Sequence, residues 1–374
     1  MSAEDTATEP DALAGAPHPR MTGALFGQAR AEADFLAAFN TARLHHGWLI
    51  SGPRGVGKAT LAWKIARFLL TQPEDDGGMF APPKPTDLNS PAEHPVLRRT
   101  RSLSETRLFL LRPGYDDKKE RWQDIISVDE MRKMRSFFTM SAADGGRRVA
   151  IIDAVDDMNV AASNALLKTL EEPPSKVTLL LISHQPAKLL PTIRSRCREL
   201  RLGPLAAPDL AHSLFQAGGE VPAGKESALA ELAAGSVGTA FRMVELDGLD
   251  LYAALIRLFE SLPRLSRPMA MKLAEAGSGK AGQAQFDMIV GLLDLFLARM
   301  ARAGATGHLS AEAAPGEAAL IQRLSPDARA ARQWADLAQN LGVRARRGKS
   351  VNLDPFALLM DMVLKIEETA LALA

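Results

Sequence analysis

The chain has one cysteine, Cys197, which excludes an internal disulfide and any cysteine-rich zinc site and suits a reducing compartment. Its 7 histidines are scattered, so no metal-ligand spacing is visible. An excess of either charge is also missing. With 45 Lys and Arg against 44 Asp and Glu, any contact with nucleic acid has to be local or shared with other chains. The most apolar window, residues 286–300, carries Asp287, Asp294 and Arg299, which argues against a membrane span. Residues 1–20 have neither a basic start nor an apolar centre and do not read as a signal peptide. Acidic and rich in Ala and Pro, they are expected to form a disordered tail, and the protein is expected in the cytoplasm.

A length of 374 residues leaves room for two or three domains, each with its own core. Residues 46–60, His-Gly-Trp-Leu-Ile-Ser-Gly-Pro-Arg-Gly-Val-Gly-Lys-Ala-Thr, read as a buried strand, a glycine-rich loop and the first turn of a helix. Gly52, Gly55 and Gly57 stand where a backbone turns tightly and approaches oxygen atoms, and Lys58 would reach terminal phosphates. The next position, where a Ser or Thr hydroxyl would hold Mg²⁺, is Ala59. Thr60 points about 100° away around the helix. The loop is therefore suited to a phosphate, with ATP or ADP as candidate ligand, and poorly suited to the accompanying metal. Mg²⁺ is expected only together with a nucleotide.

The apolar run 148–153 ends in Asp153, a position from which a nucleotide-binding sheet steadies Mg²⁺. Hydrolytic sites place a Glu next, to polarise water; here the residue is Ala154. Each such loss typically matters by a factor of about 10² or more, so hydrolysis by this chain alone is expected to be negligible.

Periodicity predicts a helix within 24–44, a strand at 48–51 and a helix at 59–70. A proline-rich loop or insertion follows at 71–95, then strands at 107–111 and 124–127. Beyond these come a helix at 128–140, the strand at 148–153, a helix at 159–172 closed by Pro173 and Pro174, and a strand at 177–183. This alternation argues for a parallel α/β sheet with helices on both faces. Past residue 204 the sequence turns Ala- and Leu-rich and helical. Leu251, Leu255, Leu258, Phe259 and Leu262 form one stripe, and Phe356, Leu359, Met360, Val363 and Leu364 another, each read as core or subunit contact. Arg194 and Arg196, on an expected helix at 191–197, read either as a solvated face or as a guanidinium delivered to a neighbour's phosphate. The basic runs 98–101 and 344–349 read first as solvated faces and second as DNA phosphate contacts.

Taken together, the loop 52–58, Ile151-Ile-Asp153, Asn164-Ala-Leu-Leu-Lys-Thr-Leu-Glu-Glu-Pro-Pro174 and Ser195-Arg-Cys197 resemble the AAA+ clamp-loader subunits of bacterial DNA polymerase III, and among them the delta-prime type. The resemblance is strong over about residues 25–246 and weaker beyond, where Asn352-Leu-Asp354 is similar to the family's ending. It implies a disordered tail (1–20), an α/β AAA+ P-loop domain (21–204), a small helical lid (205–247) and an all-α collar (248–374). It further implies a hetero-oligomeric ring that loads a sliding clamp on primer-template DNA during replication, with motor (gamma/tau) and clamp-opening (delta) subunits as partners. In that ring the delta-prime type is a stator. Arg196 maps to an arginine finger acting in trans on a neighbour's ATP, and Ser183 or His184 to the sensor at the end of a core strand. Two departures stand out. Gly238 replaces the second sensor arginine of motor subunits, and residues 71–110 lack the cysteines of the zinc module found in many relatives, so no zinc is expected. The rival readings are an ATP-hydrolysing motor subunit and, more remotely, a P-loop phosphotransferase.

Overall fold

A computed structural model describes residues 9–41, 44–73, 83–139, 146–278 and 282–373. The chain divides into two compact units, residues 1–218 with 236–238 and residues 219–235 with 239–374. Residues 205–247 do not form a unit of their own: helix Ala207–Gln216 belongs to the first and helix Glu226–Ala233 to the second.

Among the described residues the first unit holds seven strands: β1 Gly47–Ser51, β2 Leu108–Leu111, β3 Tyr115–Asp116, β4 Arg121–Trp122, β5 Arg148–Ile152, β6 Val177–Ser183 and β7 Arg198–Arg201. Five of them form a parallel sheet in the order β2-β5-β6-β1-β7, while β3 and β4 make a short antiparallel hairpin. The central strands β1 and β6 are buried along their whole length and mostly apolar, because both faces are covered; Ser51, Thr178 and Ser183 are their buried polar residues. Alternation through the pleat sends Trp48, Ile50, Val149, Ile151, Leu180 and Ile182 to the layer that also holds Phe35, Trp63 and Phe68. Leu49, Ala150, Ile152, Leu179 and Leu181 face the opposite layer, with Met131, Met134 and Leu166. Helix Lys58–Thr71 continues directly from the glycine loop, and its fully buried Trp63 and Phe68 each contribute about 1.5–3 kcal/mol or more.

The first unit differs from the sequence reading in three further places. The strand expected at 124–127 reduces to a single bridge between Ile126 and Met158, because helix Val128–Thr139 begins at once and leaves no length for a ladder. The edge strand β7 was not anticipated, since only Leu200 in it is buried and no apolar run marks it. Residues 9–20, expected as part of a disordered tail, are docked. Glu9 and Asp11 accept hydrogen bonds from Arg112 Nη1 at 2.7 Å each, and Arg20 is bonded to both oxygens of Glu9. His18 stands edge-on to Trp63 at 6.0 Å, and Arg67 donates to the carbonyls of Arg20 and Thr22. Acidic residues that read as solvating thus meet arginines distant in sequence. Residues 1–8 lie outside the described residues.

In the second unit the long helices Gly282–Thr306 and Ala328–Ser350 pack together, and Phe286, Leu293, Phe296, Trp334 and Leu341 are among their buried residues. The stripe in Pro355–Leu373 runs through Leu359, Met362, Val363, Ile366 and Ala370, shifted from the expected Phe356, Met360 and Leu364, which are only half-buried. Glu317 gathers a buried network: it accepts from Tyr252 Oη, from Arg299 Nε at 2.6 Å and from the Ala313 amide at 2.7 Å. The basic run 344–349 partly binds helices, with Arg344 on Asp361 and Lys349 on Asp287. Among the described residues no helix is long and apolar enough to cross a membrane.

Candidate functional site

The glycine loop lies at the C-terminal end of β1 and turns through positive φ at Gly52 (145°), Gly55 (76°) and Gly57 (96°), the last capping helix Lys58–Thr71. A side chain at any of the three would strike the protein itself: the Leu202 carbonyl at Gly52, Ser236 at Gly55 and Leu25 at Gly57. The Val237 amide also donates to Gly55 O at 2.8 Å. Lys58 is 3% exposed and turned back on its own loop, donating to Gly52 O at 2.8 Å and to Pro53 O. Burial lowers its ammonium to about 8 against the pull of Asp153 and Asp156. These charges place Lys58, Asp153 and Asp156 in one electrostatic neighbourhood.

Asp153 is raised to about 7 by burial, with the negative charge of Asp11 adding to the effect and Lys58 opposing it. Asp156 is fully engaged at the end of β6. It accepts from Ser183 Oγ at 2.9 Å, from the His184 amide at 2.5 Å and from the Gln185 amide at 3.2 Å. The expected sensor hydroxyl, Ser183, is therefore spoken for within the chain. His184 is lowered to about 4 by burial and by the nearby Lys58 and Arg54, so it is neutral, and its Nδ1 is buried without a partner.

The donor set does not suit a nucleotide with its metal. Ala59 and Ala154 supply no oxygen, Thr60 sits one helical position on, and Asp153 holds its proton up to near neutral pH. The close-approach positions Gly55 and Gly57 are already met by Ser236 and Leu25.

Arg196 lies at the other end of the sheet. Helix Pro191–Arg194 is only four residues long, so Ser195, Arg196 and Cys197 follow it in a turn that feeds β7. The Arg196 carbonyl is beside Gly47, where β1 begins, whereas the glycine loop follows Ser51, where β1 ends. Five residues of strand separate the two by about 17 Å. The Arg196 side chain is 36% exposed, paired with Glu171 Oε1 at 2.8 Å and bonded to Thr192 O at 3.1 Å. Cys197 next to it is pushed up to about 12 by burial.

Residues 27–206 match the family described as DNA polymerase III, delta subunit. The chain is 36% identical over 233 residues to the DNA polymerase III subunit delta' of Pseudomonas aeruginosa, covering 62% of this chain and 65% of that protein. Over this region the chain is similar to delta-prime subunits of DNA polymerase III. The delta' subunit of Escherichia coli is 30% identical over 214 residues, covering 57% of this chain and 58% of that one. The alignments thus span less than two thirds of these relatives. The tau subunit of Escherichia coli is 30% identical over 204 residues, with 52% and 27% coverage. Among solved structures, a gamma-subunit-related protein of Thermotoga maritima aligns with a TM-score of 0.42 at 16% identity, over 90% of this chain and 100% of that one.

Three residues that were assigned no role from the sequence organise the site. Glu171, inside the Leu-Glu-Glu-Pro-Pro run, holds Arg196. Asp156, just past the end of β5, fixes the end of β6. Gln28, beside the Phe26-Gly27 pair, bonds Val56 O at 3.1 Å and Gly203 O at 2.9 Å, tying the glycine loop to the exit of the sheet. Only Gln28 had a signal, its place directly before an amphipathic helix.

Proposed function

We propose that this chain is a stator subunit of a DNA polymerase III clamp loader, which helps place a sliding clamp on primed DNA by lending Arg196 to ATP held in a neighbouring motor subunit. The observation that carries this reading is the separation of the two halves of the chemistry. A degenerate phosphate loop, with Lys58 tied to its own carbonyls, stands at one end of β1; a half-exposed arginine stands at the other, out of reach of that loop. In trans, the planar guanidinium neutralises charge developing on the transferred phosphoryl group. Its ion pair with Glu171 is solvent-exposed, so releasing it costs at most about 1 kcal/mol. Glu171 then acts as a holder that keeps the arginine extended until a phosphate competes for it.

The test is reconstitution with motor and clamp-opening subunits. Arg196→Ala is expected to reduce turnover at the adjoining ATP site by about 10³ while leaving assembly intact, so that the ring loses that site's share of DNA-stimulated hydrolysis. Unchanged turnover in the assembled ring overturns the assignment. Steady ATP hydrolysis by the purified chain alone would favour the motor reading instead.

A further inference from the structure

The first unit contains a cavity of about 90 Å³ between helix Lys58–Thr71, residues 22–23, residues 88–90 and helix Pro95–Arg101. Arg67, on its wall, lies about 13 Å along the helix from Lys58, so the cavity is separate from the glycine loop. Its walls carry Lys64, Arg67, Arg101, Asn89 and Ser90. Lys64 is matched by Glu32 at 2.6 Å. Among the described residues Arg67 has no such match. It is 7% exposed, and among the described residues it pairs with no carboxylate; its bonds go to the carbonyls of Arg20 at 3.0 Å and Thr22 at 2.9 Å. The charged group that acts on it is Arg101, of like sign, and burial together with Arg101 lowers the guanidinium to about 10.

A buried guanidinium beside a second one is a costly arrangement unless a counter-charge completes it. Two of its five donors are committed to carbonyls, which leaves others for a ligand. Volume points the same way, since a cavity that could hold a few waters admits one tetrahedral oxyanion. Arginine pairs are suited to such an ion because each can approach it in a bidentate fashion, and the hydroxyl of Ser90 and the amide of Asn89 add neutral donors.

We propose that this cavity is a binding site for a phosphate group, held by Arg67 and Arg101. The group is either a free phosphate or a phosphodiester of nucleic acid, to which the exposed Arg98 on the same short helix would add attraction.

The experiment is calorimetric titration of the full chain with inorganic phosphate at low salt, using wild type, Arg101→Gln and Lys58→Met. Arg101 is exposed, so its substitution leaves the fold intact. One phosphate per chain is expected, with affinity unchanged by Lys58→Met and lowered at least about tenfold by Arg101→Gln. Phosphate should also raise the melting temperature of wild type more than that of Arg101→Gln. Absence of binding to wild type overturns the proposal, as does binding lost in Lys58→Met and kept in Arg101→Gln; Arg67 then serves only to hold the 20–22 backbone. A short DNA duplex added in competition separates the sources. Displacement of phosphate from wild type identifies the diester backbone, and failure to displace it identifies a small phosphate; both support the site.

Discussion

Asp156→Ala removes the carboxylate that fixes the end of β6, and its cost can be worked from three hydrogen bonds. Ser183 is 0% exposed, so its hydroxyl is stranded, at about 1–3 kcal/mol. The amides of His184 and Gln185 lose an acceptor at about 0.5–1.5 kcal/mol each, nearer the lower end because Asp156 is half-buried and water can partly replace it. The sum is about 3 kcal/mol. For a unit of this size that corresponds to a fall of about 6–12 °C in melting temperature. Asp156→Asn keeps one acceptor oxygen and turns an NH₂ group toward a donor, so it should lose about half as much. Circular dichroism melts supply the temperature, and hydrogen exchange supplies the location: protection should drop first at the amides of His184 and Gln185. A melt within about 1 °C of wild type, with unchanged exchange at those two amides, would refute the view that Asp156 is a structural acceptor.

Acid should release the docked segment. Glu9 is held down at about 2 by its hydrogen bond with Arg20 and by Arg112, while Asp11 is lowered by His18 and Arg112 in spite of its burial. Carboxyls lowered in the folded state contribute stability that is complete above their unfolded values and lost as pH falls through the folded ones. Limited proteolysis should find residues 9–20 protected above about pH 5 and cut progressively as pH falls from about 4 toward 2; protection unchanged at pH 2 would contradict the ion-pair account. In the second unit, Glu317→Ala should cost about 3–5 kcal/mol, because Arg299, 5% exposed, is left buried with only a partial partner in Glu231. Urea unfolding that shows less than about 1 kcal/mol would mean that water fills the gap.

Much of the first unit was legible because its chemistry is local. Strands β1, β5 and β6 are apolar runs covered on both faces, and the glycine loop announces itself by residue type and spacing. Edge strand β7 was not legible: Arg198-Glu-Leu-Arg201 owes its shape to the open backbone of β1, whose Trp48 and Ile50 pair with Arg198 and Leu200, and no pattern of side chains records that. The docking of residues 9–20 escaped for a related reason. Its partner Arg112 lies about a hundred residues away, and composition weighs only neighbours. Arg196 was singled out by its motif, but its ion pair with Glu171 joins a helix end to a turn that sequence spacing does not bring together.

The grip of Arg67 on the carbonyls of Arg20 and Thr22 bears on how the protein can be handled. A shortened version beginning after residue 22, as the composition of the amino terminus invites, would uncover Trp63 along the edge now met by His18 and deprive a deeply placed cation of its acceptors. Sticky, poorly yielding preparations are the natural outcome of such trimming. Residues 9–22 belong to the first unit and travel with it.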